Sequence, residues 1–275
     1  MLIAINQEKP DRLPVTVHQW QSYHLNKYLA GISDLEAFEK FGLDAQIQHF
    51  GEIGQTQDGT ATSKTSTKDW QVSAKVISDS PDKRLVDYAI KTPAGVLRFK
   101  TEGNQETTWI SDYLVKHDED IELIRKYLPV PKLNRKVVNE LYDRVGERGI
   151  LRGFVWGEQA GCWQHACGGT LGIEEMIVAN GSDVSETLAS KSIGGNQEPW
   201  EFAARIRGRL ALIGGLDQCS VLTDGTKEEI KAKVYELFEK VGRNGGYICS
   251  LSDHFFETPL ENIQAYADAA REGIY

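Results

Sequence analysis

His165-Ala-Cys167-Gly-Gly169 places an imidazole and a thiol two positions apart, ahead of two glycines that let backbone approach a ligand closely. At an extended strand end, residues i and i+2 face the same side, so this pair could fill two positions of a tetrahedral zinc site. The competing reading is structural, because Cys is among the most buried residue types. Ser250-Leu-Ser-Asp253-His254 offers an oxygen and a nitrogen donor, or an acid/base pair, on a loop leading into a helix. Alternatively, Asp253 caps a turn and His254 merely bonds to it. Glu186, after a short strand, is a third carboxylate, either a working acid or a solvated one. Asp217, in Gly214-Gly-Leu-Asp217, could orient substrate or a ligand histidine, or cap its loop. His18 and Trp20, with Tyr23 and His24, could line a cofactor pocket or belong to the core. There is no Walker loop, no strand-to-helix G-x-G-x-x-G and no G-x-S-x-G, so nothing points to nucleotide binding or serine hydrolysis.

These groups need a scaffold, and the C-terminal part of the chain supplies the clearest pattern. Leu210–Gly214 reads as a buried strand, and Thr226-Lys-Glu-Glu229 as a capping box opening a helix with Ile230, Val234, Leu237 and Val241 on one face. Gly245–Cys249 reads as another strand, and Thr258-Pro-Leu-Glu261 as an N-cap, a Pro at N1 and a capping box before a last helix. Helix-length crossovers join strands in parallel, right-handed units. With Ile150–Trp156 and Asp183–Leu188 added, the pattern predicts a barrel or an open parallel sheet. Upstream, Leu13–Trp20 reads as a strand followed by helices to about Leu29 and over Ser33–Phe41, the latter with a Ser33–Glu36 capping box and Gly42 at its end. From Gln46 to Ile110, β-branched and aromatic residues alternate with turn clusters at Gln57–Gly59, Ser80–Asp82 and Thr92–Gly95, which predicts antiparallel hairpins. Two amphipathic helices follow, over Asp118–Tyr127 and Lys132–Gly146.

Composition narrows the class. The 275 residues carry 31 Lys+Arg against 40 Asp+Glu, a formal charge of −9, with 40% hydrophobic residues. An acidic balance with no basic run argues against nucleic acid or an anionic membrane as partner. No stretch approaches the ~20 apolar residues of a membrane span, and Met1–Pro10 lacks the pattern of a signal peptide, so a cytoplasmic protein is expected. Four cysteines are too few for a disulfide scaffold of this size.

The sequence resembles the uroporphyrinogen decarboxylase superfamily, which also contains cobalamin-dependent methyltransferases. The resemblance is carried by Thr92-Pro-Ala-Gly-Val-Leu97, Tyr113–Asp120, His165–Gly169, Leu212-Ile-Gly-Gly-Leu-Asp217, Asp224–Ile230, Gly245-Gly-Tyr-Ile248 and Thr258–Ile263. It implies one domain over 1–275, an α/β fold of the TIM-type (β/α)8 barrel class with the 46–110 hairpins as an excursion and the active site at the C-terminal mouth. The Ile150–Thr170 region is short for this family, which implies a barrel lacking roughly two βα units, and an exposed parallel edge would favour a homodimer.

True decarboxylases of the family carry an Arg-rich segment where this chain reads Leu13–Trp20, so the methyltransferase branch is the nearer one. That branch implies zinc held by His165 and Cys167, with His254 in place of a missing later Cys and Cys249 as a distant reserve. Glu186 stands where a mobile carboxylate ligand would be. From their places at strand ends, Glu186, Asp217 and Asp253 are expected as catalytic carboxylates, and His18 and Trp20 on the cofactor side. The reaction implied is zinc-assisted methyl transfer from a methylcorrinoid on a partner protein to a thiol. The alternatives are cofactor-free decarboxylation of a porphyrinogen, with Arg12 and Arg152 holding carboxylates, and an inactive shortened barrel that only binds.

Overall fold

In the computed structural model the described residues are 1–50, 66–130, 134–154, 168–179, 181–206 and 208–275. His165, Cys167 and the Gln57–Gly59 turn lie outside them. In chain order the strands are β1 (Ala45–Phe50), β2 (Gln71–Asp79), β3 (Arg84–Thr92), β4 (Gly95–Gly103), β5 (Thr108–Asp112), β6 (Gly149–Phe154), β7 (Val184–Thr187), β8 (Ala211–Leu216) and β9 (Tyr247–Leu251). They form a β1–β6 pair, an antiparallel sheet β2-β3-β4-β5 and a parallel sheet β7-β8-β9. The architecture is mixed α/β, and the described residues contain no closed barrel.

The chain divides into two compact units. The first comprises Met1–Ile47, Leu141–Arg152 and Gln164–Tyr275. Its parallel strands are buried at every position, as expected where crossover helices such as Pro199–Ile206 and Lys227–Leu237 cover the sheet. A fourth extended segment runs beside them: Val15 bridges Cys249 in parallel, Thr16 N–H donates to Cys249 O at 2.9 Å, and Cys249 N–H donates to Pro14 O at 2.8 Å. Residues paired across strands share a face, so alternation sorts this sheet into two environments. Val15, Leu212, Tyr247, Cys249 and Leu251 pack with the helical residues Ile206, Val234, Leu237, Ile263 and Tyr266. On the other face Val184, Ala211, Ile213 and Ile248, near the strands' N-terminal ends, pack with Ala4, Met1 and Ile5. That face is therefore apolar toward the N-terminal ends of the strands, and Glu186 borders this apolar set through its register partner Ile213.

Most helix signals in the sequence are met, and two expected boundaries shift. Ser33 and Thr226 each form a complete capping box, and Gly42 ends its helix at φ 64°. The Thr258 box does not form: the last helix starts at Leu260 without a side-chain cap. The Thr258 hydroxyl is instead 2.6 Å from that of Thr223, and its carbonyl is 3.0 Å from His24 Nε2, so tertiary partners replace the local cap. The last strand begins at Tyr247 rather than Gly245, because Gly245 and Gly246 take φ of 87° and 70°, a turn conformation that favours glycine.

The second unit comprises Gln48–Glu140 and Gly153–Trp163. Two of its turns are predicted ones: Ser80 and Lys83 exchange backbone bonds of 3.0 and 3.2 Å, and the Thr92 hydroxyl accepts from Gly95 N–H at 3.1 Å. One sheet face packs Val86, Tyr88, Ile90, Leu97 and Phe99 with Trp70 and Leu114, and Leu123, Ile124 and Tyr127 of the helix Asp118–Tyr127 close over it. The Asp120 carboxylate caps that helix by accepting from the N–H groups of Lys116 and His117 at 2.8 and 3.0 Å.

Candidate metal centre

Alternation along β7 puts Glu186 on the same face as Val184, in register with Ile213 of β8. It is not the solvated acid that an isolated Glu after a strand suggests: it lies within β7 and is fully buried. A bare carboxylate there would cost several kcal/mol, and cations of the same layer offset this. Arg152, from β6, donates through Nη1 to Glu186 Oε2 at 2.6 Å, and His18 Nδ1 lies 2.9 Å from Oε1. Burial by itself would raise the Glu186 carboxyl, but the charges of Arg152 and His18 and their hydrogen bonds outweigh it and hold the group well below the usual carboxylate range. An ionised carboxylate can only accept, so Nδ1 of His18 carries the proton in this bond.

The backbone of the His18 segment is held as firmly as its ring. Gln46 Nε2 donates to His18 O at 3.0 Å and also to Val17 O, and Arg152 Nη2 donates to His18 O at 3.3 Å. On the other side the ring meets His254, with centroids 4.7 Å apart. Gln21 Nε2 lies 2.8 Å from His254 Nδ1, and Asp253 Oδ1 accepts from His254 N–H at 2.7 Å and sits 4.0 Å from its Nε2. One ligand atom each from His18, Asp253 and His254 lies within 4.8 Å of the others. The cluster runs from the buried His18 side chain to those of His254 and Asp253, 29% and 38% exposed, so its outer edge reaches solvent. One layer down, Thr16 and Ser250 lie on the face opposite Val15 and Cys249. Their buried hydroxyls find no hydrogen-bond partner among the described residues.

Four residues singled out by sequence, His18, Glu186, Asp253 and His254, thus come together. Asp217 does not join them through its hydrogen bonds: it caps the turn after β8, accepting from Cys219 N–H, Ser220 N–H and the hydroxyls of Ser192 and Ser220 at 2.7–2.9 Å. Trp20 belongs to the core, packed among Phe38, Phe41 and Phe255. Cys249 is no reserve ligand, since burial pushes its thiol up to about 11, against the lowering effect of Tyr266 and Tyr247, and it faces the helices. Sequence reasoning missed the supporting groups Gln21 and Gln46 and assigned Arg152 to a substrate. A usable signal existed: an Arg inside the strand Gly149–Phe154 and a Glu inside Val184–Thr187 need each other, because charges are rarely buried unpaired.

The sequence pattern that defines the uroporphyrinogen decarboxylase (URO-D) family matches residues 134–273, just over half of the chain. A search of curated proteins finds no match. Among solved structures, a methyltransferase from Methanosarcina mazei is similar at 12% identity and a TM-score of 0.48, over 98% of this chain and 97% of that one. Among the described residues, no helix is long and apolar enough to cross a membrane.

Proposed function

This chain belongs to the uroporphyrinogen decarboxylase family, and we propose that it is a zinc-dependent methyltransferase that moves a methyl group from a methylcorrinoid on a partner protein to a thiol. The observation that carries this reading is the buried imidazole of His18, fixed through Nδ1 by Glu186 and set beside His254 and Asp253. A carboxylate-held histidine next to further nitrogen and oxygen donors is a common way to build a metal-binding site, and this donor set suits a borderline cation such as zinc. In this reading His165 and Cys167 join His254 as donors, and Glu186 and Asp253 are the carboxylates that orient the site, while Asp217 shapes the turn after β8. Bound there, zinc would act as a Lewis acid that lowers the pKa of the substrate thiol.

The chain's own groups do the rest. Arg152 keeps Glu186 ionised, and Glu186 keeps the His18 proton on Nδ1. Asp253, at the solvent edge, takes the proton that the thiol loses. The thiolate sulfur then bonds to the methyl carbon as the cobalt–carbon bond breaks, the bonding pair staying with the corrinoid. The parallel run of Pro14–Thr16, β9, β8 and β7 is, in this reading, part of a TIM-type barrel shortened by about two βα units, with its mouth at these strand ends.

Porphyrinogen decarboxylation is less well supported, for a specific reason. It needs cations to hold substrate carboxylates, and the two arginines placed to do so already hold protein carboxylates: Arg152 pairs with Glu186 at 2.6 Å, and Arg12 grips Asp44 through two bonds of 2.6 and 2.9 Å. Elemental analysis of purified protein is expected to give about one zinc per chain, and the zinc-loaded protein is expected to transfer methyl from methylcobalamin to a thiol. A metal-free protein that cannot be loaded, or one that releases carbon dioxide from a porphyrinogen, would overturn the reading. A loaded protein without turnover would point to the binding-only alternative.

A further inference from the structure

We propose that Glu257 is a positioning residue for this site: gripped by Tyr23, Lys27 and Tyr28 of the helix Ser22–Tyr28, it holds the segment Asp253–Thr258, and with it His254, in place beside His18. The inference rests on the reading above only in that the side chains at these strand ends do the chemistry. The latch itself is tested without turnover.

The segment that carries Asp253 and His254 needs an outside brace. Among the described residues, Ser252 N–H donates to Leu216 O at 2.9 Å, and the next backbone pairing comes at Pro259, whose carbonyl accepts from Asn262 N–H at 3.1 Å. Within them Asp253–Thr258 has no backbone ladder, so side chains must fix it. Those side chains come from one stretch, Trp20–Tyr28, that begins two residues after His18. Gln21 Nε2 lies 2.8 Å from His254 Nδ1, and the buried Phe255 ring packs against Trp20 and His24 with centroids 5.3 and 4.9 Å away. His24 Nε2 donates to Thr258 O at 3.0 Å. The stretch that follows His18 thus sets where His254 stands. Glu257 closes this grip from the solvent side: its two oxygens accept from Lys27 Nζ at 2.6 and 2.8 Å, one also from the Tyr23 hydroxyl and the other from that of Tyr28. Lys27 donates to Tyr23 Oη at 2.8 Å and lies 5.1 and 5.3 Å from the ring centroids of Tyr23 and Tyr28, so the members of the network order one another. The bonds from Lys27, Tyr23 and Tyr28 hold the Glu257 carboxyl down at about 2, so the latch stays charged at neutral pH. A matched network lies at the opposite end of the last helix, where Glu272 accepts from Lys231 and Tyr235.

The test compares Glu257→Gln, Lys27→Met, Lys27→Arg and, for the matched network, Glu272→Gln in the full-length protein. Exposed ion pairs contribute little to global stability, so every variant is expected to keep its thermal midpoint within about 4 °C of the parent. In Glu257→Gln and Lys27→Met, amide exchange over Asp253–Thr258 is expected to accelerate about tenfold or more. The nuclear Overhauser cross-peak between the rings of His18 and His254, whose centroids are 4.7 Å apart, is expected to weaken in the same two variants. Methyl transfer is expected to fall about tenfold in kcat with the thiol KM within about twofold, as for a loss of orientation. Lys27→Arg, which keeps the charge, and Glu272→Gln are expected to match the parent in all three readouts. Unchanged exchange and an unchanged cross-peak in Glu257→Gln, or equal changes in Glu272→Gln, would overturn the latch. A loosened segment with methyl transfer at the parent's rate would overturn its role at the site. A parent without methyl transfer whose segment still loosens in Glu257→Gln upholds the latch and overturns only the reading above.

Discussion

The parallel sheet β7–β9 and the antiparallel sheet β2–β5 treat polar residues in opposite ways. Along β3 and β4 buried and more exposed positions alternate, so Asp87, Arg98 and Lys100 are simply the outward half of a half-buried sheet. Along β7, β8 and β9 every position is buried, and a charge has no outward side to take. Glu186 is the one ionisable carboxylate in those three strands, and it is the residue around which the candidate metal centre is organised. A charge in a strand buried on both faces therefore marks a site, whereas the same charge in an alternating strand marks a surface.

Two arginine–glutamate pairs make that contrast measurable, because both are 2.6 Å long. Arg152–Glu186 has side chains 4% and 0% exposed, and Arg125–Glu122, on the helix over the antiparallel sheet, 76% and 64%. The largest expected effect is for Arg152→Met, which strands a buried carboxylate and is expected to cost about 3–5 kcal/mol in denaturant unfolding. Adding Glu186→Leu to it is expected to recover most of the loss, since an apolar pair of similar volume removes the stranded charge. A single-variant loss below about 1 kcal/mol would break the comparison.

A smaller effect is expected at Ile90, fully buried on the inner face of β3. Ile90→Val removes one methylene and is expected to cost about 0.5–1.5 kcal/mol, with amide exchange accelerated in β3 and β4. The smallest is for Arg125→Ala, expected to shift stability by no more than about 0.5 kcal/mol, and less in high salt. A loss there as large as that for Arg152 would mean that burial is not what separates the two regions.

Much of the scaffold was legible because its signals are local. The Ser33 and Thr226 boxes, the Ser80–Lys83 and Thr92–Gly95 turns, and the helix Asp118–Tyr127 each depend on residues within a few positions of one another. Where a local signal met a stronger distant partner it failed, as at Thr258, whose hydroxyl is taken by Thr223. The candidate site was legible as a set of residue types at strand ends but not as a set of partners. His18 and Glu186 are 168 positions apart, and Arg152 and Glu186 34, and no short-range pattern joins them.

By itself the sequence determined most of the helices and strands, though Leu13–Trp20, expected as a strand, pairs only through a bridge at Val15, because periodicity and capping are written in neighbouring residues and sheet pairing is not. Only the tertiary structure decided that His18, Asp253 and His254 form one cluster, that Glu186 is a buried anchor and that Arg152 serves it. Those roles follow from which faces the parallel register brings together and from the cost of leaving a charge buried without a partner.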